Sequence, residues 1–267
     1  MIEPKMYFPE VTINKMNAPF TIKLAVTRND DVIDHILNTT GELIAEDLDE
    51  IDDKFSPFKS DSLVSKFHRG DSERFFQDEM FQIVYNQCAI AKIATGERFD
   101  AFKDKMFDPT GILKGWAVET EFQKNLKPLL VDPAIVGVCF RTGEGMQLAS
   151  KAGSHFDWNV GIKRPNNSHG IIADYRIQNG AIATAVMDDQ EIQTDIHPEN
   201  NFVKQMTVLS KGLTEAAVLA KASLKDNTVD VENWIDKSRL SGLLINENGK
   251  LSVFEQGQFD NVVQAQM

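Results

Sequence analysis

The sequence predicts an α+β fold: largely antiparallel strands flanked by helices, in one domain over residues 1–267, with division into two lobes left open. Three observations lead there. Apolar residues recur at helical spacing in the first half, over 31–53, 77–95 and 114–126. From 135 to 210 the chain changes to short apolar or alternating runs parted by turn residues. There strands follow strands, without the strand–helix alternation of a parallel sheet.

Residues 19–27 alternate apolar and polar side chains, the pattern of a half-buried strand. Residues 31–53 open on acidic residues, which suit a helix start. Val32, Ile36, Leu43, Ile44, Leu48 and Ile51 then keep roughly helical spacing, with an interruption expected at Thr39-Thr40-Gly41. Periodicity is lost over 55–76, where Ser56, Pro57, Ser60, Asp61 and Gly70 predict a loop with one short helix at 60–68. A second helix is expected at 77–95, with Gly96 placed to cap it. A third is expected at 114–126, after the loop Asp108-Pro109-Thr110-Gly111.

Strands are expected at 135–140, 156–162, 170–177, 180–186 and 206–210, with turns at Asn166-Asn167 and Asn179-Gly180. Residues 212–225 predict an Ala-rich helix and 231–237 a short one. The runs 240–246 and 249–255 predict a hairpin.

With 42% hydrophobic and 25% charged residues, the chain has the composition of a globular protein. A net charge of −12 repels nucleic acid and anionic membrane surfaces and favours solubility. Cys88 and Cys139 lie in apolar runs and predict core thiols, not a disulfide framework or metal site. No run of about 18 apolar residues predicts a membrane span. Gly-rich phosphate loops, HExxH and GxSxG are absent, and the five histidines form no metal-spaced pair. The residues alone name no reaction.

Several segments nevertheless follow, in order, the motifs of one known protein family. Met16 through Phe20 stands where that family has Met-Gly-Thr before an aromatic strand. Residues 55–68, FSPFKSDSLVSKFH, resemble its FSxYxxxSELSRFN. Thr95 through Asp100 stands for GGAFD, and FDPTGILKGWAVE (107–119) for DLGGIAKGYAVD. Gly143-Glu144, then Trp158 through Pro165, follow GGD and WxVGI…P, and residues 181–186 follow AIATSG.

In these segments the chain resembles the FAD:protein FMN transferase (ApbE-type) family, and the resemblance implies an enzyme that takes FAD and moves its FMN half onto a threonine of a flavoprotein acceptor. It implies that Met16, Phe58, Arg98, Phe99, Asp100, Thr110, Trp116 and Lys221 surround the flavin nucleotide. Phe58 and Trp116 would stack on its rings. Arg98 would pair with phosphate, and Gly111 and Gly115 would let backbone approach an anion at a helix start. Lacking the lipobox cysteine of exported relatives, the chain is expected in the cytoplasm. Homodimer formation stays open.

Departures from the family concentrate where its chemistry lies. Its late AEADALATA helix, which ligates magnesium, reads TEAAVLAKA at 214–222. Ala217 replaces the aspartate and Lys221 the threonine, which puts magnesium in doubt. Thr194 stands at the family's catalytic histidine, with His197 nearby. No catalytic residue is assigned. The open alternatives are a paralogue that holds FAD or another nucleotide without turnover, and a scaffold with no cofactor.

Overall fold

The structure, a computed structural model, describes residues 5–71, 77–103, 106–143, 145–165, 167–187 and 201–260. It opens on strands β1 (Glu10–Lys15) and β2 (Ala18–Val26), a hairpin closed by Met16 and Asn17. Both turn residues have positive φ, 50° and 55°, the geometry that matches the twist of a two-residue hairpin.

Helix α1 runs unbroken over Asp31–Phe55, so the interruption expected at Thr39-Thr40-Gly41 is corrected. Thr40 and Gly41 sit on its buried face, and a Cβ at Gly41 would come within 3.3 Å of Val11. The glycine admits the β1–β2 hairpin against the helix. Asp30 caps α1 by accepting the Ile33 N–H at 3.1 Å.

Short α2 (Leu63–His68) and α3 (Glu79–Ala94) follow. Past α3, Gly96 has φ 58°, and the Glu97 and Gly96 N–H groups return to the Lys92 and Ile93 carbonyls at 2.8 and 3.1 Å. This left-handed stop satisfies carbonyls that the helix leaves open. Helix α4 (Thr110–Glu121) starts four residues earlier than expected, then passes into a π-turn at Phe122–Leu126. The early start follows from Asp108, whose carboxylate accepts the Thr110 N–H at 3.0 Å.

The remaining strands are β3 (Ile135–Thr142), β4 (Gly145–Ser150), β5 (Trp158–Arg164), β6 (Asn167–Ile177), β7 (Asn179–Val186), β8 (Val203–Ser210), β9 (Ser241–Asn246), β10 (Leu251–Glu255) and β11 (Gln258–Phe259). Helices α5 (Leu213–Ala222) and α6 (Thr228–Ser238) lie between β8 and β9. Strands β1, β4 and β11 were not expected. β4 escapes because its buried positions include Gln147, which takes the place of an apolar marker.

Among the described residues, nine strands form one antiparallel sheet, ordered β1-β2-β3-β4-β7-β8-β9-β10-β11, and β5 with β6 forms a separate ribbon. The expected turn at Asn179-Gly180 is therefore corrected. There the chain leaves the ribbon and enters the main sheet. The Asn166 half of the other expected turn lies outside the described residues.

Helices α1, α3, α4 and α5 cover one sheet face through Phe20, Ile22, Leu24, Phe140 and their partners. The ribbon covers the other through Trp158, Val160, Ile162 and Ile177 against Cys139, Leu148, Ile182 and Ile245. Both faces are buried, so the apolar runs of β3 and β9 read as nearly continuous. Among the described residues no helix is long and apolar enough to cross a membrane.

Candidate functional site

A cleft of about 940 Å³ opens where the start of α4, the end of β7 and the end of α5 converge. Its wall over residues 99–103 and 106–108 is held from behind by an aromatic cluster. Phe107 is fully buried, with the rings of Phe67, Phe81, Tyr85 and Phe102 centred 5.2–6.0 Å from its own. Its carbonyl meets His68 Nε2 at 2.8 Å, and the Asp108 N–H bonds the Ala101 carbonyl at 2.8 Å.

Four of the eight residues singled out in the sequence line this cleft together: Phe99, Asp100, Thr110 and Lys221. Phe99 packs against the start of α4. A Cβ on Gly111 would stand 2.9 Å from its ring, so glycine there permits the contact. The Phe99 N–H is tied to Thr95 Oγ1 at 3.0 Å. Asp100 receives Lys92 Nζ at 2.9 Å and the Phe102 N–H at 2.8 Å. The Lys92 bond, then the backbone one, holds the Asp100 carboxyl below its ordinary range. Lys221 projects from the last turn of α5, and Lys225 follows one turn later on the same side.

The other four lie elsewhere. Met16 is in the β1–β2 turn, packed on the core. Phe58 is 87% exposed in the α1–α2 loop, its N–H on Ser56 Oγ. Arg98 is committed to an ion pair with Asp226, to the Thr95 carbonyl at 3.0 Å and to the Trp234 ring at 5.2 Å. Trp116 is buried edge-on to Phe55 and lines a different groove, among α3, α4 and α5. Six residues along a helix turn Trp116 about 120° away from Thr110, which explains the separation.

Sequence reasoning passed over Lys103, Met106, Leu224 and Lys225, which also line the cleft. Lys225 had a usable signal, its spacing of four from Lys221. Leu224 shares that helical turn, whereas Lys103 and Met106 carry no periodic mark. Thr184, Ala185, Val186 and Gly143 had entered only as parts of motifs. Glu144, Thr194, His197 and the rest of 188–200 lie outside the described residues.

Magnesium takes hard oxygen donors, ordinarily with a carboxylate among them. Ala217 is 4% exposed and packed in the core, and Lys221 brings an ammonium to the cleft one helical turn on. Asp100 and Asp108 are each engaged as described, and among the described residues no cluster of three Asp, Glu, His or Cys could hold a metal. Among the described residues, the cleft holds no donor set that fits magnesium. Both cysteines are buried, and burial pushes each thiol up to about 12, so neither is a nucleophile at neutral pH.

No family model and no curated protein sequence matches the chain. Solved structures do, and they define the fold as that of the ApbE flavin transferases. The flavin transferase ApbE from Vibrio cholerae superposes with a TM-score of 0.68 at 15% identity, over 94% of this chain and 98% of that one. The ApbE protein from Thermotoga maritima gives 0.71 at 20% identity, over 93% and 97%. The flavinyl transferase ApbE of Pseudomonas stutzeri gives 0.66 at 13%, over 95% and 97%. At such identities the likeness establishes the fold.

Proposed function

We propose that the chain is a divergent relative of these flavin transferases, that it holds FAD in the α4–α5 cleft, and that it passes the FMN half to a hydroxyl of an acceptor protein. The observation that carries this reading is the convergence of Phe99, Asp100, Thr110 and Lys221, from three separate segments, on one cleft. The cleft has the size of a cofactor site. The start of α4 directs backbone N–H groups and the positive end of its dipole at an anion. Lys221, with Lys103 and Lys225, adds fixed positive charge where a pyrophosphate would lie.

In this reading an acceptor hydroxyl oxygen bonds to the FMN phosphorus. The bond from that phosphorus to the bridging oxygen breaks, and AMP leaves with the electron pair. The hydroxyl proton passes to solvent. The residues of the chain contribute position and charge, which is most of what phosphoryl transfer asks of a protein. Lys221 takes the charge-balancing part, and magnesium takes none.

A second reading, retention of FAD without transfer, is favoured by Ala217, since losing a metal carboxylate removes chemistry before it removes binding. Flavin fluorescence titration, with magnesium and again with EDTA, tests both. Binding indifferent to EDTA and weakened at least about tenfold by Lys221→Glu is expected. No binding in either buffer sinks both readings. AMP release on adding a threonine-bearing acceptor then separates transfer from retention.

A further inference from the structure

A second cavity, of about 650 Å³, lies between the main sheet and the β5–β6 ribbon. It meets the first at Gly143, Thr184 and Val186, which line both. Arg141 stands on the sheet side, and Lys163 and Arg164 on the ribbon side. None of the three has an ion-pair partner among the described residues, and no acidic residue lines the cavity among them. In a chain of net charge −12, such a cationic rim stands out from its surroundings.

At the back of this cavity sits Gln205, on β8 and fully buried. Its Nε2 donates to the Lys163 carbonyl at 3.1 Å, but its Oε1 has no partner. A buried amide oxygen without a donor is costly to keep, and it points to a ligand that brings a hydrogen-bond donor. A bare anion without a donor, such as sulfate, answers the rim but not Gln205. An acidic peptide answers both, with carboxylates for Arg141, Lys163 and Arg164 and a main-chain N–H for Oε1.

We propose that this second cavity docks an acidic segment of a polypeptide acceptor and holds its hydroxyl residue at the shared wall of Gly143, Thr184 and Val186. The acceptor role rests on the flavin reading above. The docking of an acidic segment stands on the rim and Gln205. Arg141, Lys163 and Arg164 select the acceptor by charge, and Gln205 fixes its register through the main chain.

Fluorescence polarisation with an Asp-rich peptide around one threonine tests this, against a control in which lysines replace the aspartates. The acidic peptide is expected to bind and the basic one not. Arg141→Glu with Arg164→Glu is expected to weaken binding at least about tenfold. Gln205→Leu, which keeps the volume and removes both the acceptor and the donor to the Lys163 carbonyl, is expected to weaken it severalfold. FAD titration is expected to stay unchanged in both, and the melting temperature to stay unchanged in the charge-reversed variant. Equal binding of the two peptides, indifference to the charge reversals, or full displacement by inorganic phosphate would overturn the docking site. FAD binding without peptide binding overturns it too and leaves the flavin reading intact. Peptide binding without FAD binding does the reverse.

Discussion

Glu121, near the end of α4, should make the protein lose stability as the pH rises through neutrality. It is 3% exposed and shares Asn125 with Asp47 of α1, with Asn125 Nδ2 at 2.6 Å from Glu121 and 3.3 Å from Asp47. Burial, and then the hydrogen bond and charge of Asp47, push the Glu121 carboxyl from 4.5 up to about 7. Asp47 moves the other way. Burial opposes its ionisation, but hydrogen bonds from Lys124, Glu121 and Asn125 together outweigh it. The folded chain thus binds the Glu121 proton more tightly than the unfolded chain. The associated stability is complete below about pH 4.5 and drains away as pH rises through 7.

At about 1.4 kcal/mol per tenfold in proton affinity, the full effect would be about 3 kcal/mol. Screening by nearby water reduces it to about 1–2 kcal/mol. Glu121→Gln removes the charge and keeps an acceptor for Asn125. Relative to the parent, the variant should gain that amount between pH 5 and pH 8, a rise in melting temperature of roughly 2–6 °C at the upper pH. Thermal melts of both proteins across this range are the assay. A difference between them that does not change with pH would refute the assignment of the proton to Glu121.

Three further outcomes follow from the packing. Gly111→Ala should drive the Phe99 ring out of its seat, costing about 1 kcal/mol net of the helix propensity gained and weakening FAD in a fluorescence titration; unaltered FAD affinity would mean that Phe99 does not shape the cleft. Phe107→Ala should cost about 3–5 kcal/mol in denaturant unfolding, since its ring is fully buried among four others. Thiol titration with an aromatic disulfide should find neither cysteine in the native protein and both after denaturation, because Cys88 and Cys139 are buried and un-ionised.

Most of the fold was legible because its signals are local. Period-3.6 runs mark α1 and α3, and the apolar strand runs mark β2, β3 and β7. Where the reading failed, tertiary packing had overridden a local mark. Gly41 resembles a break but serves a close approach of Val11, and Asn179-Gly180 resembles a hairpin turn but begins a crossing between sheets. The site was legible only by resemblance, and unevenly. Phe99, Asp100, Thr110 and Lys221 meet because α4 and α5 bring distant segments together. Trp116 belongs to the same sequence motif as Thr110, yet helical geometry sends it to another groove. The second cavity was illegible, since Arg141, Lys163, Arg164 and Gln205 come from three strands whose neighbourhood no linear pattern records.

The order of strands also governs how this chain can fold in time. The β9–β10 hairpin joins near neighbours, and β7 and β8 are also close in sequence, so this side of the sheet can assemble early. The opposite side cannot. β2 pairs with β3 through Lys23 and Cys139, more than a hundred residues apart, with α1 to α4 threaded between them. Closing so long a loop adds little to the equilibrium cost but delays the pairing. During that delay the inner edge of β3 and the apolar face meant for α1 stand exposed. The first hairpin is therefore synthesised early and docked late, and that interval is when the protein is most open to aggregation.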